Sequence, residues 1–139
     1  MAMIKGGCLC GKIRYEVTGD PILAGHCCCN DCRKATGAGH STIAGFPEGN
    51  VEITGETSSY SNKGNSGGTV TRHFCGTCGS RLFSKVDADA GLTIIQCGTL
   101  DDASAIVPQL VFYHKDQQPW DYLNPDLPKF DTVPPGVDS

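Results

Sequence analysis

The sequence predicts a mainly β protein, a single domain of packed β-sheets over residues 1–139. Three observations lead there. Glycine fills 18 of the 139 positions, about 13% against a usual share of roughly 7%, and eight prolines accompany it. A chain broken that often suits short strands joined by turns. Between the breaks, residues 12–18 (Lys-Ile-Arg-Tyr-Glu-Val-Thr) alternate polar with apolar, the pattern of a half-buried strand. Finally, the nine cysteines crowd into C-x-C and C-x-x-C steps, which a core does not require and which a bound metal does.

The elements follow in order. Residues 6–11 hold Cys8-Leu9-Cys10 between glycines, and the strand 12–18 ends at Gly19-Asp20-Pro21. Residues 22–25 lead into Cys27-Cys28-Cys29-Asn30-Asp31-Cys32, with His26 before it. Asn30 or Asp31 can cap a helical turn over 32–36, which Gly37 stops. Residues 40–46 read as a strand, then Pro47-Glu48-Gly49-Asn50 as a turn. Residues 51–54 and 57–61, on either side of Gly55-Glu56, suggest a hairpin. The polar, glycine-rich 62–68 is a loop tip, because strand-like sequence resumes at 69–74 and runs into the knuckle Cys75-Gly76-Thr77-Cys78-Gly79. A hairpin of 82–86 and 92–97 turns at 87–91; that loop lacks the glycine and later ligands of a calcium site. After a turn at 98–102, residues 109–114 are the last strand, and from Gln117 the chain is irregular.

Thiolates are soft ligands that favour zinc, which takes about four of them. Cys8, Cys10, Cys75 and Cys78 make two ligand pairs and together a closed Cys₄ set, the arrangement of structural zinc. Four metal-free cysteines, or a redox C-x-x-C, are the alternatives. The flanking glycines argue against the first, and the position of Cys75 and Cys78 between two strand-like runs argues against the second. Cys27, Cys29 and Cys32 can put three sulfurs on a second metal and leave its fourth place open, as in catalytic zinc. Closure by Cys28 or His26 would need a local kink, because neighbours in an extended segment point oppositely. Cys97 reads as a small buried residue. His40, His73 and His114 read as structural, with His73 placed beside Cys75 to support a ligand.

A net charge of −4, with acids and bases interspersed, offers no basic patch for nucleic acid or an anionic membrane surface. No secretory h-region opens the chain, no apolar run approaches the ~20 residues of a membrane span, and no Asn-x-Ser/Thr acceptor occurs. With an odd cysteine count spaced for chelation, the expectation is a cytoplasmic metal-binding protein.

With those residues in view, the chain resembles the glutathione-dependent formaldehyde-activating enzyme (GFA) family. The blocks GGCLCGKIRYEV, CCCNDCRKATGA, HFCGTCGSRLF and CGTLDD, then PW and LPKF, carry the resemblance in order along nearly the whole sequence. It implies a zinc-stabilised β-sheet fold shared with Rab-GTPase-releasing factors and type B methionine sulfoxide reductases. It also implies two Zn²⁺ per chain: a structural one on Cys8, Cys10, Cys75 and Cys78, and a catalytic one on Cys27, Cys29 and Cys32 with a thiol substrate in the fourth position. The implied activity is that of a carbon–sulfur lyase acting on a thiol–aldehyde adduct, with a small thiol such as glutathione and a small aldehyde as partners. Two positions depart from the family's pattern: Cys28, where His or another residue is usual, and Val111, where many relatives carry His. Two rival readings are a non-enzymatic zinc-stabilised interaction or thiol-binding module, and a thiol-redox role for Cys28 and Cys97.

Overall fold

The computed structural model describes residues 3–65, 67–87 and 91–134. In chain order its elements are β1 (Met3–Gly7), β2 (Arg14–Thr18), β3 (Leu23–Cys27), α1 (Asn30–Thr36), β4 (Ser41–Pro47), β5 (Val51–Thr54), β6 (Ser58–Lys63), β7 (Thr69–Phe74), β8 (Arg81–Val86), β9 (Leu92–Gln96) and β10 (Leu110–Phe112). They form two sheets. The smaller runs β1-β2-β5 and the larger β10-β3-β4-β9-β8-β7-β6, so the class is mainly β, as the turn-rich alternating sequence predicts. Among the named strands, β10 pairs in parallel with β3, and the other neighbours are antiparallel.

Strand alternation sorts side chains between two faces. Ile13, Tyr15 and Val17 from the small sheet meet Ala44, Phe46, Leu82 and Ile95 from the large one in the main core. Tyr15 is 1% exposed, and its phenol is satisfied by Thr99 Oγ1 at 2.6 Å. The next residues along the strands, Ile43 in β4 and Ile94 in β9, face the other way and line a cleft.

Several expectations need correction. Residues 51–54 and 57–61 do not make a hairpin: β5 pairs with β2 in one sheet and β6 with β7 in the other. Burial explains the split. Val51 and Ile53 pack on the main core, whereas β6 is Ser-Ser-Tyr-Ser-Asn-Lys, with no apolar face to bury, and so takes the sheet edge. The chain crosses between sheets at Gly55, whose φ of 103° and a would-be Cβ only 2.6 Å from the Lys12 carbonyl admit glycine alone. Strands β1 and β3 were not expected, since Gly-Gly and Gly-His-Cys lack strand character. Pairing from both sides supplies β3 with what its sequence does not. The helix begins earlier than expected and is capped by Cys29, whose Sγ accepts from the Cys32 N–H at 3.3 Å, rather than by Asn30 or Asp31; Gly37 ends it as expected.

The hairpin of β8 and β9 is present through Phe83↔Ile95 and Ser84↔Ile94, while 88–90 of its turn, and Ser66 of the 62–68 loop, lie outside the described residues. The irregular C-terminal stretch protects an edge. The Val111 N–H donates to the Pro128 carbonyl and the Phe130 N–H to the Val111 carbonyl, both at 2.9 Å, which covers the open side of β10. Among the described residues, no helix is long and apolar enough to cross a membrane.

Candidate metal centres

The sulfurs of Cys8, Cys10, Cys75 and Cys78 lie within 4.8 Å of one another. Cys8 and Cys10 stand in the turn between β1 and β2, and Cys75 and Cys78 in the knuckle between β7 and β8. Local backbone shapes each half. The Ile13 N–H donates to Cys8 Sγ at 3.2 Å, and the Thr77 and Cys78 N–H groups point at Cys75 Sγ from 3.4 and 3.5 Å. Ser80 joins the halves: its Oγ accepts from the Leu9 N–H at 3.0 Å and sits 3.2 Å from Cys78 Sγ. Donors aimed at sulfur favour thiolate. The Ser80 hydroxyl, with neighbouring amides, brings Cys78 down to about 5. Cys10 goes the other way, to about 11, because desolvation and its three cysteine neighbours outweigh the Lys12 amide. Four sulfurs this close do not all ionise beside one another unless a cation lies among them, so the donor set fits Zn²⁺.

The second set joins Cys27, at the end of β3, to Cys29 and Cys32, at the start of α1, again within 4.8 Å. Its thiols compete for charge. Hydrogen bonds from Cys27 and then Cys32 hold Cys29 down at about 2. Contacts with Cys29 and then Cys32, with burial, push Cys27 far up, and Cys32 rises to about 11 because Cys29 and burial outweigh the help from Cys27 and Ser41. One thiolate is comfortable there and three need a dication, so this set also fits Zn²⁺. Among the described residues, no His, Asp, Glu or further Cys adds a fourth ligand atom to it.

These three cysteines open onto a cleft of about 110 Å³ on the outer face of the large sheet. Its walls are mainly apolar, from Ile43, Val70, Ile94 and Phe112 among others. Two of its polar lining residues are joined through Asn62: Arg72 Nη1 donates to Asn62 Oδ1 at 2.5 Å, and Asn62 Nδ2 donates to Asp31 Oδ2 at 3.2 Å. This links β7 and β6, at one end of the sheet order, to α1, which follows β3 near the other end. The sequence does not single out Arg72 or Asn62. Each is a polar strand residue without a motif, and only the tertiary fold brings Arg72 to the cleft and Asn62 to Asp31.

The other sequence candidates stand apart from both sulfur sets. His26 bonds Thr42 Oγ1 at 2.8 Å and meets His40 edge-on, with ring centroids 4.8 Å apart. His40 in turn is held by Asp121 at 2.8 Å, which ties the C-terminal stretch to β4. His73 does not support a cysteine ligand as expected: its imidazole bonds Thr57 Oγ1 at 2.8 Å and stacks on Phe83. Val111 is fully buried and absent from the cleft lining, which Phe112 supplies instead. That departure therefore concerns packing. Cys28 is also fully buried and outside the three-sulfur set, and Cys97 lies in the main core. Burial raises both thiols to about 11, the opposite of what a reactive cysteine needs. Cys28→Ser should accordingly leave the metal content unchanged while lowering stability by about 1–3 kcal/mol, the cost of a buried hydroxyl in poor company. Metal analysis beside urea unfolding checks this, and a lost metal would make Cys28 a ligand.

The model of the family described as "Glutathione-dependent formaldehyde-activating enzyme" matches residues 3–116. Among solved structures, a crystal structure of a Rhodobacter sphaeroides protein is similar in fold: TM-score 0.58 at 20% identity, covering 75% of this chain and 97% of that one.

Proposed function

The chain belongs to the glutathione-dependent formaldehyde-activating enzyme family, and from that premise we propose that it is a carbon–sulfur lyase that makes or breaks the C–S bond of a thiol–aldehyde adduct. In this reading Cys8, Cys10, Cys75 and Cys78 hold a structural zinc, and Cys27, Cys29 and Cys32 hold the zinc at which the substrate thiol binds. The observation that carries it is the contrast between the two sets. One has four sulfurs in mutual contact; the other has three, with no fourth ligand of the usual kinds among the described residues, at the wall of a cleft. We further take residues 1–139 as one domain, of the fold shared with Rab-GTPase-releasing factors and type B methionine sulfoxide reductases. A cytoplasmic setting is supported by nine cysteines that are all free of disulfides.

Cys27, Cys29 and Cys32 would hold zinc with a formal net charge of −1, which would keep an added thiol as thiolate and activate water poorly. In the forward direction the thiolate sulfur forms a bond to the aldehyde carbon, the carbonyl electron pair moves to oxygen, and that oxygen takes a proton. The reverse step returns thiol and aldehyde, so no oxidant or reductant is needed. The chain's own residues supply the surroundings. Ile43, Val70, Ile94 and Phe112 exclude water and suit the carbon skeleton of the adduct. Arg72 and Asp31, both on the cleft, offer one positive and one negative group, a match for the zwitterionic amino-acid end of a thiol such as glutathione.

Cobalt replacement gives the direct test. On adding glutathione, the charge-transfer band of a Co²⁺–thiolate site should gain intensity equivalent to one further sulfur, and zinc-loaded protein should turn over S-hydroxymethylglutathione or a related adduct. A spectrum indifferent to common cellular thiols, with no turnover of their adducts, would favour the non-enzymatic module.

A further inference from the structure

Ser41 stands out on the cleft floor. It is the cross-strand neighbour of Cys27 at the start of β4, and its residue is 2% exposed. Its Oγ makes no hydrogen bond of ordinary geometry among the described residues, and the Cys32 thiol is the one group on which it acts as a donor. Within β4 the cleft-facing positions are Ser41, Ile43 and Gly45, so the column is apolar except at its end beside the cysteines. A position that needed only to be filled would carry alanine there at no cost in buried polarity. A buried hydroxyl brings one donor and two acceptor sites, and the contact with the Cys32 thiol uses at most the donor, loosely, until something enters the cleft.

We propose that the Ser41 hydroxyl hydrogen-bonds the oxygen of the bound adduct, which makes it a catalytic residue and gives the cleft its selection for an oxygen on the carbon next to sulfur. The inference rests on the thiol–aldehyde reading above. The three cysteines fix where the adduct's sulfur lies, and its carbon and oxygen follow one and two bonds away. Ser41 lines the same cleft as the three cysteines and is paired across the strands with Cys27, so it stands next to that position. As thiolate adds to the aldehyde, negative charge collects on oxygen. Cleavage passes through the same transition state once the adduct's hydroxyl has released its proton to solvent, so a preset donor gains strength there in either direction. The apolar walls offer that oxygen little else.

The test uses zinc-loaded full-length protein with Ser41→Ala and Ser41→Thr. For S-hydroxymethylglutathione, S41A should lower kcat/KM roughly 10²-fold, mostly in kcat, while zinc stays at two per chain and glutathione alone binds as before. S41T, which keeps the hydroxyl, should recover most of the loss. A second readout needs no turnover. By calorimetry, wild-type protein should bind S-hydroxymethylglutathione roughly tenfold tighter than S-ethylglutathione, and S41A should bind the two alike. Unchanged kcat/KM in S41A, zinc loss that accounts for its defect, or equal discrimination by wild type and S41A would each overturn the proposal. If wild type discriminates by oxygen but turns over no adduct, the lyase reading fails and the role of Ser41 in recognition stands.

Discussion

Cys78→Ala is expected to cost the protein its fold under ordinary conditions, or leave it so weakened that it precipitates on purification. Cys8→Ala should do the same. The four-sulfur set pulls together the β1–β2 turn of the small sheet and the β7–β8 knuckle of the large one, with Cys10 and Cys75 65 residues apart. It thus fastens one sheet to the other at an end where Cys8 and Cys75 are the buried members of the main core. Metal held by such a set releases roughly 10–16 kcal/mol on folding in small zinc peptides. A whole domain is stable by only about 5–15 kcal/mol. Losing one ligand of four removes a sizeable part of the first quantity and so threatens all of the second. Urea unfolding of freshly purified variant, with zinc measured on the same sample, checks this. A wild-type midpoint in the variant would mean that the sheets hold together without the metal.

Cys32→Ala should behave in the opposite manner: one zinc lost of two, the fold kept, and turnover of any thiol–aldehyde adduct reduced at least 10³-fold. The three-sulfur set spans Cys27 to Cys32, a loop about 13 times shorter than the other. Closing the longer loop costs an unfolded chain about 2 kcal/mol more, so tying it off constrains that state correspondingly more. Alanine also suits the first turn of α1, where Cys32 stands, better than cysteine does. The metal at this set can therefore leave without taking a sheet with it. Zinc stoichiometry, a thermal midpoint within a few degrees of wild type, and activity form the measurement. Two zincs retained in the variant would show that another residue completes the site.

The comparison of these two variants rests on something the sequence shows by itself. C-x-C and C-x-x-C spacings are local chelating geometry, so both cysteine sets were legible before any fold was known, as were β2, whose alternation is complete, and the strand-like runs of β7 and β8. The mainly β class followed from the same local signals. Tertiary structure decided the rest, because it is settled by competition among distant segments for burial. Val51 and Ile53 could pair with β2 or with β6 on local grounds, and the main core chose β2. Leu-Ala-Gly-His-Cys has no strand pattern of its own, yet it lies between β10 and β4. Asn30 and Asp31 looked like caps, but Cys29 was nearer the free N–H. Ser41, Arg72 and Asn62 carry no motif. Ser41 and Arg72 reach the cleft because residues of one parity share a face of a strand, and the large sheet brings Asn62 within bonding distance of Asp31. Chelating spacing is a property of a few adjacent residues and is written in the chain; which polar groups surround those cysteines depends on which face of a strand wins the core.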